Sequence, residues 1–558
     1  MASHIQNESF LKQNLGVLSI IAWFGILVLQ AFLSPLHIDE AYYRLYGQAL
    51  DWGYFDHPPG IAIATALSER ILPLGNLSVR FIPILLHIFS LVIGWNTFKR
   101  ISPNNTSFRF PVLVLVLFLP MLHVYSFIAT PDVVLFFTAI LFCNAFVMVK
   151  KDGKLWMWIW WGISMALLMY SKYHGILIIG FSILSDIKLI RRPKFYLAII
   201  VALITFIPHI FWQYEHDWAS INFHLFERHT QVDWYSPFLY LGMLVIVFNP
   251  LLLWKYGRQL VSKAGDSWDR MMLFVFWGIV GFFLLQSFRA DVQAQWILLA
   301  YIPFMYFIMK SFTGDGTDKT NFNFVYLAAN LTIVIFIHLC LTFNLLPTNL
   351  GMFGQKEYAE QIKADSKGLP VVFYNSYKRA SIYSWYTKEY AHSYNTAYSR
   401  KNQFNIWYRD SVMYDEDVYF VGMHFESEPA IKYGTSDYGV VKKYAPSDKI
   451  KVHLIDVELK GDSIKASVEI ENPYKVSLQY PQSYHLAIYY FSDFLNDAER
   501  QSFSYQPFKV DANSVLIKEL IWVKPKNLDN KISFGIATSH NDWPDGPIMR
   551  RHSLNNGQ

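Results

Sequence analysis

Long apolar runs separated by short polar loops occupy the chain up to about residue 345. A helix needs about 20 apolar residues to cross a bilayer, and these runs meet that requirement. The sequence therefore predicts a polytopic α-helical membrane protein with about eleven transmembrane helices. The predicted spans are approximately 15–35, 79–98, 110–129, 131–149, 155–171, 174–190, 195–213, 237–256, 271–288, 294–312 and 323–346.

The density of charged residues changes near residue 345. Charged residues make up 16% of the 558 residues, whereas a soluble protein has about 25%, and the deficit lies in the apolar part. We therefore expect a transmembrane domain over 1–348 and a separate tail. A helix over Lys356–Ala364 and a strand over Pro370–Tyr374 predict an α/β region over 349–448.

Alternating apolar and polar residues dominate the chain from about residue 450. Such alternation is typical of strands, and turns such as Asn472-Pro473 separate them. We therefore predict a β-rich, sandwich-like domain over 449–558. The predicted strands are Lys451–Val457, Ile464–Ile470, His485–Phe491, Val515–Val523 and Ile532–Ala537.

The loops between the predicted spans differ in basic residues. One set carries sixteen Lys and Arg residues and the opposite set carries six. Because basic loops stay in the cytoplasm, we expect an inner-membrane protein with a cytoplasmic N-terminus and an extracytoplasmic, periplasmic tail. The net charge of +5 is small and its basic residues lie in membrane loops, so no nucleic-acid partner is expected.

The first outer loop, 36–78, opens with two adjacent acids, Asp39 and Glu40. Adjacent carboxylates at a membrane surface can deprotonate a hydroxyl or bind a cation. Alternatively, both acids cap a helix, where the helix dipole favours them. Amphipathic periodicity predicts two helices along the interface, over Asp39–Leu50 and Gly60–Leu72.

Two further outer motifs carry acids. Asp56-His57 precedes Pro58-Pro59-Gly60, so it either presents polar groups from a turn or simply starts a helix. Thr130-Pro131-Asp132 has the capping residue, the proline and the acid that are typical of a helix start, and this explains the motif without a catalytic role for Asp132. The sequence alone leaves both alternatives open.

Isolated cations lie in other outer loops, at Lys172, Arg228 and Arg289. Each side chain either reaches toward lipid headgroups or binds the phosphate of a lipid ligand. Histidines and acids there also permit a divalent metal, although their spacing matches no established ligand pattern. The weak metal candidates are Asp56, His216, His224 and His229.

The order of four motifs resembles the GT-C membrane glycosyltransferases, in the branch of protein O-mannosyltransferases and lipid A aminoarabinose transferases. Members of this branch use a polyprenyl-phosphate sugar as donor and work outside the cytoplasmic membrane. Gln295-Trp296 stands where the family often shows Asn-Trp. The four motifs are Asp39-Glu40, Tyr54–Pro59, Thr130–Asp132 and Ser171–Tyr173.

The resemblance implies roles for these residues. Asp39 resembles the acid that contacts and activates the acceptor, and Asp132 resembles a second acidic active-site residue. Asp56 and His57 resemble a pair near the donor phosphate, where relatives carry Glu-Lys. Lys172 resembles a phosphate-contacting base. The predicted set for donor phosphate and substrate is Glu40, Asp56, His57, Lys172, Arg228 and Arg289.

The sequence thus predicts an inverting glycosyltransferase that moves a sugar from a polyprenyl-phosphate carrier to a lipid, glycan or protein acceptor. No nucleotide-binding motif occurs in a supporting context, and a divalent metal is the one cofactor considered. The alternatives are a transporter or flippase of lipid-linked sugars and a non-catalytic envelope scaffold. Transporters place ionisable groups near the membrane midplane, whereas the acids here gather at one face.

Overall fold

A computed structural model describes most of the chain, which divides into two compact units, Met1–Phe353 and Gly354–Gln558. The division into three domains predicted above stays a prediction. Arg228, His229 and residues 110–118 of the third predicted span lie outside the described residues. The described ranges are 2–73, 75–101, 119–227, 234–311, 324–345, 351–395, 399–422, 431–433, 436–446, 449–460, 463–480, 484–491, 498–503, 508–523, 531–538 and 552–553.

The first unit is helical throughout its described part. Its helices are α1 (Ala2–Leu33), α2 (Ile38–Gly47), α3 (Gly60–Ile71), α4 (Asn76–Ile101), α5 (Pro120–Val124), α6 (Pro131–Lys151), α7 (Leu155–Ser171), α8 (Gly175–Ser185), α9 (Pro193–Glu215), α10 (Ala219–Asn222), α11 (Ser236–Val247), α12 (Pro250–Leu260), α13 (Ser267–Ser287), α14 (Tyr301–Ser311) and α15 (Phe324–Phe343). Both helices predicted in the first outer loop are confirmed as α2 and α3.

Four of the described helices, α4, α6, α9 and α13, are long and apolar enough to cross a membrane. Two pairs, α1–α2 and α11–α12, pass the same test only together, with bends of 98° and 101°. Helices α7, α8 and part of α15 are apolar but shorter. The protein is therefore a multi-pass helical membrane protein, and the count of eleven spans stays a prediction.

The predicted span over 237–256 consists of two helices with a sharp bend between them. Helix α11 ends at Val247, and Asn249 turns the chain with a φ of 64°. The Asn249 side chain accepts a hydrogen bond from the Leu251 N–H at 3.0 Å and so caps α12. Pro250 then occupies the first turn of α12, where it needs no backbone donor. The Asn-Pro dipeptide was the signal for this break.

Burial separates the central helix from the peripheral ones. In the apolar window of α6, 83% of the residues are buried, against 22% in α9. The exposed residues of α9 include Leu203, Ile207 and Phe211. Because a helix that is apolar all round needs an apolar environment on every side, α6 lies at the centre of the bundle and α9 faces lipid.

The second unit begins with α16 (Gln355–Asp365), β1 (Val371–Tyr374), α17 (Tyr377–Thr387) and β2 (Ala391–Tyr394). Strand β1 pairs in parallel with β2 and with β3 (Val418–Val421). Two antiparallel strands, β4 (Ile431–Tyr433) and β5 (Ser436–Val441), extend the sheet to the order β2-β1-β3-β5-β4. The helix and the strand predicted for this region are confirmed as α16 and β1.

Antiparallel strands fill the rest of the second unit. All five strands predicted from alternation are confirmed as β6, β7, β9, β12 and β13, and the sandwich arrangement stays a prediction. The sheet orders are β12-β7-β6, β10-β9-β13-β14 and β11-β8. The strands are β6 (Lys451–Lys460), β7 (Ser463–Asn472), β8 (Leu478–Tyr480), β9 (Tyr484–Phe491), β10 (Ala498–Phe503), β11 (Phe508–Val510), β12 (Ser514–Val523), β13 (Lys531–Thr538) and β14 (His552–Ser553).

Candidate active site

Helix α2 begins directly after the end of α1, and its capping bonds come from His37 and Glu40. The Asp39 N–H donates to His37 Nδ1 at 3.1 Å, and the His37 N–H donates to Glu40 Oε2 at 2.9 Å. Asp39 lies in this first turn with 33% of its side chain exposed, and its Oδ2 is 3.9 Å from His37 Nδ1. Capping therefore accounts for Glu40, whereas the Asp39 carboxylate stays accessible.

Glu40 is fully buried against Arg80 of α4. Arg80 Nε donates to Glu40 Oε1 at 2.8 Å and Arg80 Nη2 donates to Oε2 at 2.5 Å. The Ala129 N–H adds a bond to Oε1 at 2.8 Å. Burial alone would raise the pKa of Glu40, but the charge and hydrogen bonds of Arg80 and the two backbone N–H groups lower it below its ordinary value. Glu40 therefore stays ionised.

Arg80 connects this ion pair to the end of α1. Its guanidinium also donates to the backbone oxygens of Ala31, Ser34 and Pro35 at 2.8–3.0 Å. A planar guanidinium with five donors suits such a junction. The Glu40–Arg80 pair thus fixes α2 relative to α1, to α4 and to the segment before α6. These contacts favour a positioning role for Glu40 over contact with a substrate.

Asp132 and Lys172, which come from two separate motifs, form a second buried ion pair. Lys172 Nζ lies 2.7 Å from Asp132 Oδ1, and the side chains are 7% and 5% exposed. Asp132 is in the first turn of α6, as predicted, although the Thr130 side chain makes no capping bond. Lys172 directly follows the end of α7. The pair therefore joins the start of α6 to the end of α7.

The glycine of the Pro58-Pro59-Gly60 turn brings α3 against the same helix ends. A Cβ at residue 60 would lie 2.9 Å from the Tyr170 backbone oxygen and 3.2 Å from Val134 Cγ1. Contacts under 3 Å do not occur for real Cβ atoms, so only glycine permits this approach. Gly60 thereby places the start of α3 beside the Asp132–Lys172 pair.

Tyr125, which the sequence did not single out, directly follows the end of α5. Its hydroxyl donates to Gln295 Oε1 at 2.9 Å. Tyr125 thus joins the segment before α6 to the Gln295-Trp296 motif.

Asp56 is buried against α2 rather than open to solvent. Asp56 Oδ2 accepts hydrogen bonds from Tyr42 at 2.8 Å and from Tyr46 at 3.1 Å. His57 Nε2 lies 3.1 Å from the Tyr43 hydroxyl, and His224 Nε2 lies 2.9 Å from the Asp56 backbone oxygen. The Asp56-His57 turn is therefore held by three tyrosines of one helix.

The remaining predicted residues do not join this cluster through the described contacts. His216 stacks on Trp212 with a centroid distance of 4.2 Å and lies 2.8 Å from its backbone oxygen. Arg289 is exposed. Across the described ranges, no group of three or more His, Cys, Asp or Glu residues could hold a metal ion. The metal prediction has no supporting geometry in that part of the chain, and Arg228 and His229 lie outside it.

Comparison with known proteins agrees with the motifs. Residues 56–212 match the family of dolichyl-phosphate-mannose-protein mannosyltransferases. The lipid A galacturonosyltransferase RgtD of Rhizobium johnstonii is 22% identical over 305 residues, which are 51% of this chain and 62% of that protein. The chain therefore spans less than two thirds of this relative's length.

Two solved structures of ArnT from Cupriavidus metallidurans share the fold at 14% sequence identity. The apo structure gives a TM-score of 0.52 and covers 73% of this chain and 92% of that chain. The structure bound to undecaprenyl phosphate gives 0.54 and covers 76% and 97%. The chain is thus a multi-pass membrane protein that shares the fold of ArnT, in agreement with the resemblance drawn from the motifs.

Proposed function

We propose that the protein is an inverting glycosyltransferase that moves a sugar from a polyprenyl-phosphate carrier to an extracytoplasmic acceptor. The observation that carries this proposal is the accessible Asp39 carboxylate on a helix fixed by the buried Glu40–Arg80 pair. The Asp132–Lys172 pair lies at the outer ends of neighbouring helices. This arrangement supplies one base and one paired cation without a nucleotide site.

Asp39 acts as the general base in this proposal. It accepts the proton of an acceptor hydroxyl while the acceptor oxygen bonds to the anomeric carbon. The bond from that carbon to the carrier phosphate breaks, and the phosphate leaves with an additional negative charge. Attack from the face opposite the phosphate inverts the anomeric centre. Holding the two reactants in line supplies much of the rate enhancement.

Lys172 stabilises the departing phosphate in this proposal. An ammonium group has three donors, so Lys172 can keep its bond to Asp132 and donate another to a phosphate oxygen. Preorganised donors of this kind stabilise charge that develops in the transition state. Asp132 then serves to hold Lys172 in place. His57, Arg228 and Arg289 are further proposed phosphate contacts, and no step requires a metal ion.

The similar proteins support the classes of donor and acceptor. ArnT was solved with undecaprenyl phosphate, and RgtD is named as a lipid A galacturonosyltransferase. The matched family is named for dolichyl-phosphate mannose and a protein acceptor. We therefore propose a polyprenyl-phosphate sugar as donor and a lipid as the first acceptor to test, with glycans and proteins next.

The site requires an extracytoplasmic location for the outer loops and the tail. The proposed protein is a multi-pass inner-membrane protein with its N-terminus in the cytoplasm. Protease added to intact spheroplasts should then remove the tail beyond about residue 350. If the tail is cleaved only after lysis, it lies in the cytoplasm. The predicted topology would then be wrong, and transfer could not take place on the extracytoplasmic side.

One observation favours a transporter instead. The rings of two buried histidines, His87 and His123, and of the half-buried His338 contact Trp23 of α1. The Trp23 Nε1–H donates to His87 Nε2 at 3.2 Å, and His123 Nδ1 lies 3.1 Å from His338 Nε2. Polar groups inside a bundle are typical of transport pathways. A flippase moves the carrier without breaking the bond between sugar and phosphate, so the two functions give different products.

The deciding experiment tests whether the protein breaks the bond between the sugar and the phosphate. Purified protein should release undecaprenyl phosphate from an undecaprenyl-phosphate sugar in the presence of a lipid acceptor, and mass spectrometry should detect the glycosylated lipid. Cells lacking the protein should accumulate the loaded carrier and lose one envelope glycoform. Movement of an intact loaded carrier across vesicles, without product, would establish the transporter.

A further inference from the structure

An apolar cavity lies between four helices of the first unit, α4, α6, α13 and α14. It encloses about 640 Å³, counting the part that is open to the outside, and α4 lines it from Ser90 to Ile101. Protein interiors are normally close-packed, with few voids larger than a water molecule. A space of this size falls within the range of ligand pockets, roughly 300–1,000 Å³.

The walls of the cavity favour a hydrocarbon ligand. Among the described lining residues none is charged. The hydroxyls of Ser90 and Thr97 donate to backbone oxygens of α4 at 2.8 and 2.7 Å, and the Tyr306 hydroxyl donates to Asp269 Oδ1 at 3.0 Å. These three hydroxyls are thus already bonded within the protein. Flexible thioether side chains, which adapt to the shape of an apolar ligand, form another part of the wall: Met272, Met305 and Met309.

The cavity lies toward the end of the bundle opposite to the candidate active site. On α4, Ser90 and Ile101 follow Arg80 by 10 and 21 residues, or about 15 and 31 Å along the helix. On α6, Cys143 follows Asp132 by 11 residues, or about 16 Å. The cavity is therefore separate from both buried ion pairs of the candidate active site.

Two cations stand at the far end of the cavity. Lys99 and Arg100 lie between two lining residues, Phe98 and Ile101, and both are exposed. Lys99 Nζ is 5.4 Å from the centroid of the Trp95 ring, which lines the cavity. Basic pockets between membrane helices bind the headgroups of anionic lipids. The combination of an apolar cavity with cations at one end therefore matches an anionic amphiphile.

The acid that bonds the cavity wall does not oppose an anionic headgroup. Asp269 accepts from Tyr306 and also lies against Lys310, whose Nζ is 2.5 Å from Asp269 Oδ1 and 3.5 Å from Asp266 Oδ2. Lys310 therefore offsets negative charge on this side of the cavity, and Lys99 and Arg100 remain as an exposed positive patch.

A phospholipid matches these features better than the polyprenyl-phosphate carrier does. In the proposed reaction the carrier phosphate lies at Lys172, next to Asp132 at the start of α6. The same phosphate cannot also lie beside Lys99, at the other end of the bundle. The headgroup at Lys99 therefore belongs to a lipid of the leaflet on that side of the membrane.

We propose that the cavity binds one hydrocarbon chain of an anionic phospholipid, with the headgroup at Lys99 and Arg100. This inference goes beyond the proposed function, because it holds equally for a transferase and for a transporter.

The test uses the purified protein in phosphatidylcholine nanodiscs that contain a small fraction of phosphatidylglycerol with a photoreactive diazirine in its acyl chain. After irradiation, mass spectrometry should locate the label on the lining peptides that contain Cys143 and Met305. The same diazirine chain on phosphatidylcholine should label these peptides at least about fivefold less, the effect of one basic residue near an anionic lipid. The double variant Lys99→Gln with Arg100→Gln should be labelled equally by the two lipids.

A second variant fills the cavity from α4. A Cβ at Gly94 would meet only Ile140, at 3.5 Å or more, so the backbone accepts a side chain at this lining position. Gly94→Phe should lower the labelling at least about tenfold, because the burial of two or more methylene groups is lost. Gly281→Phe on α13 is the matched control, since nothing lies within 4 Å of a Cβ there and Gly281 is not among the described lining residues.

Four results would overturn the inference. The wild type is labelled equally by the two phospholipids, or Gly94→Phe is labelled as strongly as the wild type. A stronger label from undecaprenyl phosphate with a diazirine in its chain would assign the cavity to the carrier. No label on the lining peptides would mean that the chain itself closes the cavity. If the melting temperature shows that Gly94→Phe does not fold, the wild type and the Lys99 and Arg100 double variant decide the question.

Discussion

The two compact units each contain a buried acid–base cluster, and the two clusters differ in one respect. In the second unit, Asp410 is fully buried and bonds Lys449 Nζ at 3.0 Å and the Tyr474 hydroxyl at 2.7 Å. His392 Nε2 lies 3.7 Å from the same carboxylate. All four residues are buried. The first unit has equally buried pairs, but next to them stands the accessible Asp39.

This difference indicates that a buried ion pair is not in itself evidence of a catalytic site. A buried pair keeps its charges only when geometry and extra hydrogen bonds compensate for lost solvation, so it mainly fixes the elements that carry it. Asp410 and Lys449 fix the α/β region to the strands that follow it. Glu40 and Arg80 fix a helix on which the neighbouring Asp39 side chain is 33% exposed.

The largest expected effect is on the accessible acid. Asp39→Asn should lower both kcat and kcat/KM by about 10²–10⁴-fold, because a general base acts in the transition state. Its melting temperature should stay close to that of the wild type, since His37 and Glu40 make the capping bonds. Transfer and melting of the purified variant test both statements, and near-normal transfer would end the case for Asp39 as base.

The next largest effect is expected from a substitution that breaks the Glu40–Arg80 pair in the first unit. Arg80→Met leaves the Glu40 charge buried without its partner and should cost about 3–5 kcal/mol of stability. The double variant Arg80→Met with Glu40→Gln should recover part of that loss, because no lone charge remains. Thermal unfolding of the four proteins gives the coupling energy. Purely additive losses would contradict the pairing.

The corresponding substitution in the second unit tests whether the tail takes part in the reaction. Lys449→Met leaves Asp410 buried and should destabilise the tail by about 3–5 kcal/mol. Transfer per folded molecule should nevertheless equal that of the wild type, because every proposed catalytic group lies in the first unit. A lower rate in the folded fraction would mean that the tail takes part in the reaction.

The smallest expected effect on stability comes from removing one hydroxyl group, that of Tyr474. Tyr474→Phe removes a hydrogen bond to the charged Asp410 and should cost about 1.5–3 kcal/mol. Tyr480→Phe is the control, because its hydroxyl donates to the neutral Pro446 oxygen at 2.8 Å and its loss should cost about 1 kcal/mol. Equal losses would show that the charge on Asp410 contributes nothing to the cluster.

Local patterns were sufficient for much of the fold. Alternation predicted the long strands such as β6 and β7, and amphipathic spacing predicted α2 and α3. The sequence indicated Asp39, Asp132 and Lys172 through their order in the family's motifs, and their catalytic roles stay predictions. The break within the predicted span 237–256 was missed, because one Asn-Pro dipeptide hardly changes the mean hydropathy of a long apolar window.

The contacts that assemble the site were beyond local patterns. Glu40 and Arg80 are 40 residues apart, and Tyr125 and Gln295 are 170 residues apart. The sequence did not single out Arg80, because pairing between side chains of different helices produces no periodic pattern in one sequence. Tyr125 lay inside an apolar run and gave no signal at all.

The break between α11 and α12 has a consequence for the lipid around the protein. Helix α11 has 12 residues, which at 1.5 Å each rise about 18 Å, well short of the ~30 Å hydrocarbon thickness. Helix α12 then turns by 101° and carries Lys255 and Arg258 beside the highly exposed Trp254. Such a mismatch is relieved by thinning of the bilayer beside the helix. A long polyprenyl chain near this edge would therefore meet a thinner, more deformable membrane than elsewhere around the bundle.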